Sequence, residues 1–430
     1  MSVVNSNEPV REFLELKLGA VWAHFKTESF AFWMICSYLF FEYVRPHSII
    51  KGLDILPWTQ ITIVLAGLFW IVESSRGKRI TTGANFLMVL FFVVILLSSV
   101  TAYKSSVAYE MLANFYTWLI IFFLIQVVVT SEKRFLIFLF IFMVASFKLS
   151  WFGATTWAMR GFSFTSWGIR GPPGFFTNSG ELAAQMCVFF GISYYFYEAV
   201  KHFLSGWMLR AVALMPITAA MTIMAASSRG AQVALAVQAY FIFLHGKVSL
   251  RSIVSIVVVS GLLYFMLPAE QLERFQSAGD DTTSIQRLLY WGHGWDMMLE
   301  YPFLGVGYFN FPTYYNDHFS YDLFYESAQL PHNIFVQVGA DLGLSGLLVY
   351  FLLVWQGFKI PATVRKRLAH HGKPDDWRIP ISKGLGVGFL GFLIAGQFVS
   401  IVYYPYMWVH LALCCALLNT TASLSLEIRR

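Results

Sequence analysis

Residues 268–333 read PAEQLERFQSAGDDTTSIQRLLYWGHGWDMMLEYPFLGVGYFNFPTYYNDHFSYDLFYESAQLPHN, a polar and aromatic stretch between the apolar runs 252–268 and 334–357. A helix needs about 20 apolar residues to cross a hydrocarbon core, so this stretch interrupts a series of membrane spans. It places Arg287 and His332 at a membrane surface.

Working outward, the 430 residues are 57% hydrophobic, 18% aromatic and 13% charged, too apolar for a soluble chain of this length. Apolar runs near 28–46, 57–74, 84–102, 111–130, 135–153, 181–200, 207–225, 230–246, 252–268, 334–357, 383–402 and 405–424 predict an all-α polytopic membrane protein. The prediction is about 12 transmembrane helices in one membrane domain over 1–430, with a large, partly helical outer loop at 268–333 between helices 9 and 10.

Basic residues sort onto alternate sides, as they do where inner loops are enriched in Lys and Arg. Arg11, Lys17, Lys26, Arg76, Lys78, Arg79, Lys133, Arg134, Lys201, Arg210, Lys247, Arg251 and the cluster Arg365, Lys366, Arg367 fall on the side of the N-terminus. Arg45, Lys51, Lys104, Arg160, Arg170, Arg229, Arg274 and Arg287 fall opposite. Both termini are therefore expected inside, with 358–382 as a cytoplasmic loop. The net charge of +6 reflects this topology and anionic membrane lipids, and nucleic acid is excluded as a partner.

Cys36, Cys187, Cys414 and Cys415 all fall in expected spans, with neither a disulfide framework nor zinc spacing. The segment before about Lys26 has no signal-peptide pattern, so the first span is expected to remain as an anchor. Gly384, Gly388 and Gly391 share one face of the eleventh span, where a second helix can approach closely.

Within 268–333, Asp281, Thr282 and Thr283 supply N-cap chemistry and Pro302 a stop, predicting a helix over 284–300. Ile285, Leu288, Leu289, Trp295 and Leu299 form its apolar stripe, and Arg287 projects from roughly the opposite face. Arg229 opens the eighth span after Ala225, Ala226, Ser227 and Ser228, where helix N–H groups and a fixed cation favour an anion. Arg229 and Arg287 each also read as arginines that snorkel to headgroups. Arg160 and Arg170 are weaker candidates, although Gly171-Pro172-Pro173-Gly174 would stiffen the loop after Arg170. His332, between Pro331 and Asn333 at the mouth of the tenth span, titrates near neutral pH and can take a proton from a hydroxyl. It reads equally as an interfacial histidine bonded to headgroups or backbone.

The outer segments contain no Asp-x-Asp and no His-x-x-x-His, so no metal and no cofactor are expected. Gly305-Val306-Gly307 has Asn310 where a dinucleotide loop needs its third glycine, and reads as a turn. Lys148 and Glu181 lie near outer span ends, which leaves ion coupling open as a transporter reading.

In this order the residues resemble the O-antigen ligase and polymerase superfamily of bacterial envelope glycosyltransferases. The resemblance rests on Ser228-Arg229-Gly230 opening a span, and on Arg287 followed by Trp291 and by Tyr301-Pro302-Phe303-Leu304-Gly305-Val306-Gly307. It continues through Pro331-His332-Asn333 into Gly343-Leu344-Ser345-Gly346, and covers about residues 170 to 357. It implies a multi-pass protein of the bacterial inner membrane, with the outer loop periplasmic. The implied activity is a metal-independent, inverting transfer of O-antigen polysaccharide from an undecaprenyl-pyrophosphate-linked donor to a lipid A–core acceptor. On that resemblance Arg229 and Arg287 hold the pyrophosphate and His332 deprotonates or orients the acceptor hydroxyl. Arg160, Arg170 and Asn333 are the substrate-binding candidates. Twelve spans with the main loop between the ninth and tenth fit a ligase, while an O-antigen polymerase or a protein O-oligosaccharyltransferase shares the motifs. A lipid-linked sugar transporter would instead show inverted repeats and broken helices at the midplane, and neither stands out in the hydropathy.

Overall fold

The computed structural model describes residues 10–73, 77–165, 167–243 and 281–424. The expected ninth span at 252–268 and the start of the polar segment at 268–280, with Arg274, lie outside the described residues. In chain order the helices are α1 Arg11–Leu14, α2 Leu18–Thr27, α3 Phe30–Tyr43, α4 Pro46–Ile49, α5 Trp58–Val72, α6 Gly83–Val100, α7 Ser105–Met111, α8 Ala113–Val128 and α9 Glu132–Met159. There follow α10 Ser179–Val200, α11 Gly206–Ala225, α12 Arg229–Phe243, α13 Thr282–Glu300, α14 Phe311–His318, α15 Ile334–His370, α16 Arg378–Ala395 and α17 Pro405–Asn419. No strand forms among the described residues.

A helix lies at every expected span position that is described. Gly83–Val100, Ser105–Val128, Glu132–Met159, Gly206–Ala225, Ile334–His370 and Arg378–Ala395 are long and apolar enough to cross a bilayer, and Trp58–Val72 and Pro405–Asn419 are shorter apolar helices. The chain is an all-helical polytopic membrane protein.

The core is built on α17, every residue of which is buried. Its one imidazole, His410, bonds through Nε2 to the Leu385 carbonyl at 2.8 Å, so the central helix carries its polar ring on a backbone partner. Around it, α10 and α16 approach at backbone distance. A methyl group added at Gly388 would stand 2.7 Å from the Val188 carbonyl oxygen, and one at Gly384 2.9 Å from the Tyr195 Cβ. The shared glycine face read from the sequence is thus a packing surface, as small residues are in membrane bundles. All four cysteines are buried and free.

At the end of the bundle where α9 and α16 begin, two arginines are matched by carboxylates, while Arg365 bonds the Ser382 carbonyl and hydroxyl at 3.3 and 3.4 Å. Arg134 reaches Glu28 at 2.6 Å and Glu73 at 3.3 Å. Arg378, almost fully buried, reaches Asp376 at 2.6 Å and Glu132 at 2.9 Å. A buried guanidinium needs such partners to offset its lost hydration.

The largest departure from expectation lies in α15. Its ladder is broken at Gly343, which sits at φ 67°, ψ −167°. Phe335 stacks on Phe351 at 4.9 Å and meets Tyr350 edge-on at 5.8 Å, whereas an unbroken helix would hold positions 335 and 351 about 24 Å apart. The arm 334–342 therefore folds back against the arm that follows Gly343, and the expected straight tenth span at 334–357 is a helical hairpin. The region expected as an inner loop at 358–382 is helical as far as His370.

Gly305-Val306-Gly307 forms the turn read from the sequence and seats the hairpin's apex. Gly305 and Gly307 lie at φ 67° and 116°, conformations that glycine adopts without Cβ conflict. The Val306 and Gly307 amides donate to the Ala340 and Asp341 carbonyls at 2.8 and 3.2 Å. Asp341, fully buried, accepts from the Phe311 amide at 3.1 Å through its side chain.

Candidate functional site

The site forms where α12, α13 and the hairpin's first arm begin. Asp281 caps α13, accepting from the Ser284 amide at 3.1 Å and from its hydroxyl at 2.6 Å. The expected N-cap is therefore present, and it has a second task. Arg229, first residue of α12, donates to Asp281 at 3.1 Å and to the Ser284 hydroxyl at 3.3 Å, which locks the starts of two helices together. Burial works to raise the Asp281 carboxyl, but the bonds from Ser284 and Arg229 outweigh it and hold the group below its ordinary value.

Arg287 stands one turn further along α13, half-buried. Burial lowers its affinity for a proton, and the like charge of Arg229 adds to that effect. Its Nε is buried with no hydrogen-bond partner, and among the described residues no carboxylate pairs with it. The contrast with Arg134 and Arg378 matters physically: Arg287 has no direct ion pair, and the field of Asp281, a carboxylate already bonded to Arg229, offsets its burial only in part, a free-energy cost that a bound anion would reduce.

His332 faces the same charge. Burial and then the Arg287 guanidinium push its imidazole down to about 4, so it is neutral near neutral pH. Gln329 Oε1 lies 3.2 Å from Nε2 and accepts its proton, which leaves the lone pair on Nδ1. The backbone at His332 is left-handed, φ 54°, a conformation that costs a non-glycine residue about 1–2 kcal/mol. It is held there by the Ser400 hydroxyl, which accepts from the His332 amide at 2.8 Å. Next to it, Asn333 caps the hairpin's first arm, accepting from the Phe335 and Val336 amides at 2.9 and 3.2 Å and donating to Gln397 at 3.3 Å. Its side chain thus fixes the start of the arm that follows His332. Trp291 Nε1 donates to the Pro331 carbonyl at 2.9 Å, tying α13 to the histidine turn.

Arg229, Arg287 and His332 therefore lie near one another: the charge of Arg229 acts on Arg287, and that of Arg287 acts on His332. Arg170 lies on the loop pinned beside them, where the Ile169 amide donates to the Ala225 carbonyl at 3.1 Å. Its guanidinium is exposed and lies over the Trp167 ring at 5.9 Å. Arg160, exposed at the end of α9, is not brought into the group by any hydrogen bond or ion pair among the described residues. Lys148 and Glu181 are locally engaged. Lys148 donates to the Val44 carbonyl at 3.3 Å, and Glu181 closes the capping box of α10 and accepts from Tyr404 at 2.7 Å.

Gln329, Gln397 and Ser400 were not singled out by the sequence. A short polar side chain in an apolar bundle carries no periodic signal, and these act only through contacts made across the fold. Asp281 was legible as a cap, not as the partner of Arg229.

The described residues thus form a helical membrane protein in which two arginines and a neutral imidazole lie near one another at one end of the bundle. Residues 213–351, which hold all three groups, match the family model described as O-antigen ligase. This match supports membership of the O-antigen ligase superfamily and implies an enzyme of glycan transfer in a bacterial membrane. No curated protein matches the chain.

Proposed function

We propose that this protein transfers an O-antigen glycan from undecaprenyl pyrophosphate to lipid A–core at the periplasmic face of the inner membrane. The observation that carries the reading is Arg287: a desolvated guanidinium with no direct ion pair among the described residues, near both Arg229 and the neutral His332.

The donor's pyrophosphate would settle between the two guanidinium groups, whose planar forks match phosphate oxygens. Burial would continue to depress the imidazole, but that anion would offset the field of Arg287, the smaller cause, so His332 would regain part of its basicity when the donor is bound. Nδ1 of His332 would then take the proton of the acceptor hydroxyl as its oxygen bonds to the anomeric carbon. The bond from that carbon to the pyrophosphate breaks on the opposite face with inversion, and undecaprenyl pyrophosphate leaves with the electron pair. Fixed positive charge at the leaving oxygens supplies the stabilisation that preorganised donors give a transition state. Arg170, on the loop next to this group, is the better placed of the two outer-loop arginines to meet substrate.

His332→Ala should abolish O-antigen-bearing lipopolysaccharide while the protein still reaches the membrane. Normal ladders in that strain would overturn the assignment. A deletion strain separates the related activities: bare core with accumulated lipid-linked polymer supports the ligase, whereas core bearing a single repeat would reassign the protein as a polymerase.

A further inference from the structure

The sequence places α13 in a loop outside the membrane, and an amphipathic helix there is expected to turn its apolar stripe inward. The structure does the reverse. Gln286, Tyr290, Gly294, Met297 and Met298 form the buried face, while Ile285, Leu288, Trp295 and Leu299 are exposed, Trp295 to 57%.

Two observations say what medium that face meets. First, α13 lies along the folded-back arm of α15: a methyl group at Gly294 would meet Val336 and Ala340, and one at Gly339 would stand 2.9 Å from the Met298 sulfur. That arm in turn packs on the second arm through Phe335 and Phe351, and the second arm belongs to a helix apolar enough to cross a bilayer. Second, the two exposed faces are continuous. Leu344, Leu348, Phe351, Leu352 and Trp355 are exposed on the second arm. At the apex the Leu344 amide donates to the Pro302 carbonyl at 2.7 Å, next to Phe303, which is 79% exposed. An apolar surface that continues the lipid-facing side of a spanning helix, at the same depth, meets the same solvent. Of the charged residues of α13, Arg287 lies on the opposite face, Glu300 accepts from Tyr314 at 2.9 Å, and Asp296, a carboxylate on the exposed face, stands 3.5 Å from His293 Nδ1.

We infer that α13 is set in the leaflet that carries the site, with Ile285, Leu288, Trp295 and Leu299 against acyl chains. Helices of this kind bury an apolar face in lipid while their polar face stays in protein or water. Arg287 then stands just behind a lipid-wetted wall, and an anionic lipid headgroup can reach it by lateral diffusion without leaving the bilayer. The inference rests on exposure and packing and is independent of the glycan-transfer reading.

The native cysteines are all buried, which leaves a quiet background for spin labels at single introduced cysteines. Leu288→Cys, Trp295→Cys and Leu299→Cys would be measured in lipid nanodiscs, with Leu348→Cys as the lipid reference and Tyr321→Cys, in the polar loop, as the aqueous one. Relaxation by oxygen relative to a nickel chelate should match position 348 at all three sites and exceed position 321 by at least about fivefold. Nickel access equal to that at position 321 would overturn the inference. So would low access to both reagents, which would mean that protein covers the stripe.

Discussion

Replacing Arg287 by methionine separates the resting protein's interests from those of the reaction. The guanidinium has no ion pair among the described residues, its Nε is unpartnered, and Arg229 repels it. Removing it orphans no carboxylate, so unfolding stability should change by less than about 1 kcal/mol or rise, as when an unpaired buried charge gives way to an apolar chain. Arg378→Met is the control. That substitution strands buried Asp376 and partly buried Glu132, at a cost of about 3–5 kcal/mol. Glycan transfer should respond in the opposite order. Two charge-assisted bonds to a phosphate, at about 1.5–3 kcal/mol each, translate to a loss of at least about 100-fold in kcat/KM. Thermal unfolding in detergent, read by tryptophan fluorescence, together with transfer assayed on lipid-linked donor would decide. An Arg287→Met protein that melts as low as Arg378→Met, or that transfers at the normal rate, would refute the argument.

The hairpin in α15 predicts that Phe335→Cys and Phe351→Cys, introduced together, are joined by a short bifunctional thiol reagent, because the native rings stack at 4.9 Å; failure to cross-link would restore the straight helix. Asn333→Ala removes two cap bonds, worth about 1–2 kcal/mol, and loosens His332, so kcat should fall while KM for the donor moves little. The His332 imidazole titrates at about 4 in the folded protein against 6.5 for the free group. The unfolded chain therefore binds the extra proton between these values, and stability should rise with pH across that window and be complete above 6.5. The acid limb of kcat/KM should fall near pH 4, and that of kcat, which reports the donor complex, at a higher pH; identical limbs would argue against coupling between anion and base.

The helices of the described spans were legible because long apolar runs have few other physical solutions. Helix α13 was legible too, since Asp281 and Pro302 mark its ends independently of its surroundings. Arg229, Arg287 and His332 were singled out through the order of their motifs, and their nearness could not be read from spacing, because the His332 backbone is held by Ser400 and its neighbour Asn333 meets Gln397, both far along the chain. The hairpin was hidden because Gly343 reads as one more small residue in a spanning helix until its positive φ is seen. The side to which the stripe of α13 turns was hidden for a deeper reason. In a soluble protein an apolar face must point inward, but in a bilayer protein and lipid are both acceptable neighbours, so periodicity locates the face without choosing its environment.

The bond from the His332 amide to Ser400 also sets an order of events during synthesis. Arg229 and Arg287 leave the ribosome well before Ser400, which holds the His332 backbone, so the group of two arginines and a histidine closes only after nearly the whole chain has been threaded into the membrane. A nascent chain stalled before α16 has emerged would hold both cations with the His332 turn still unfastened.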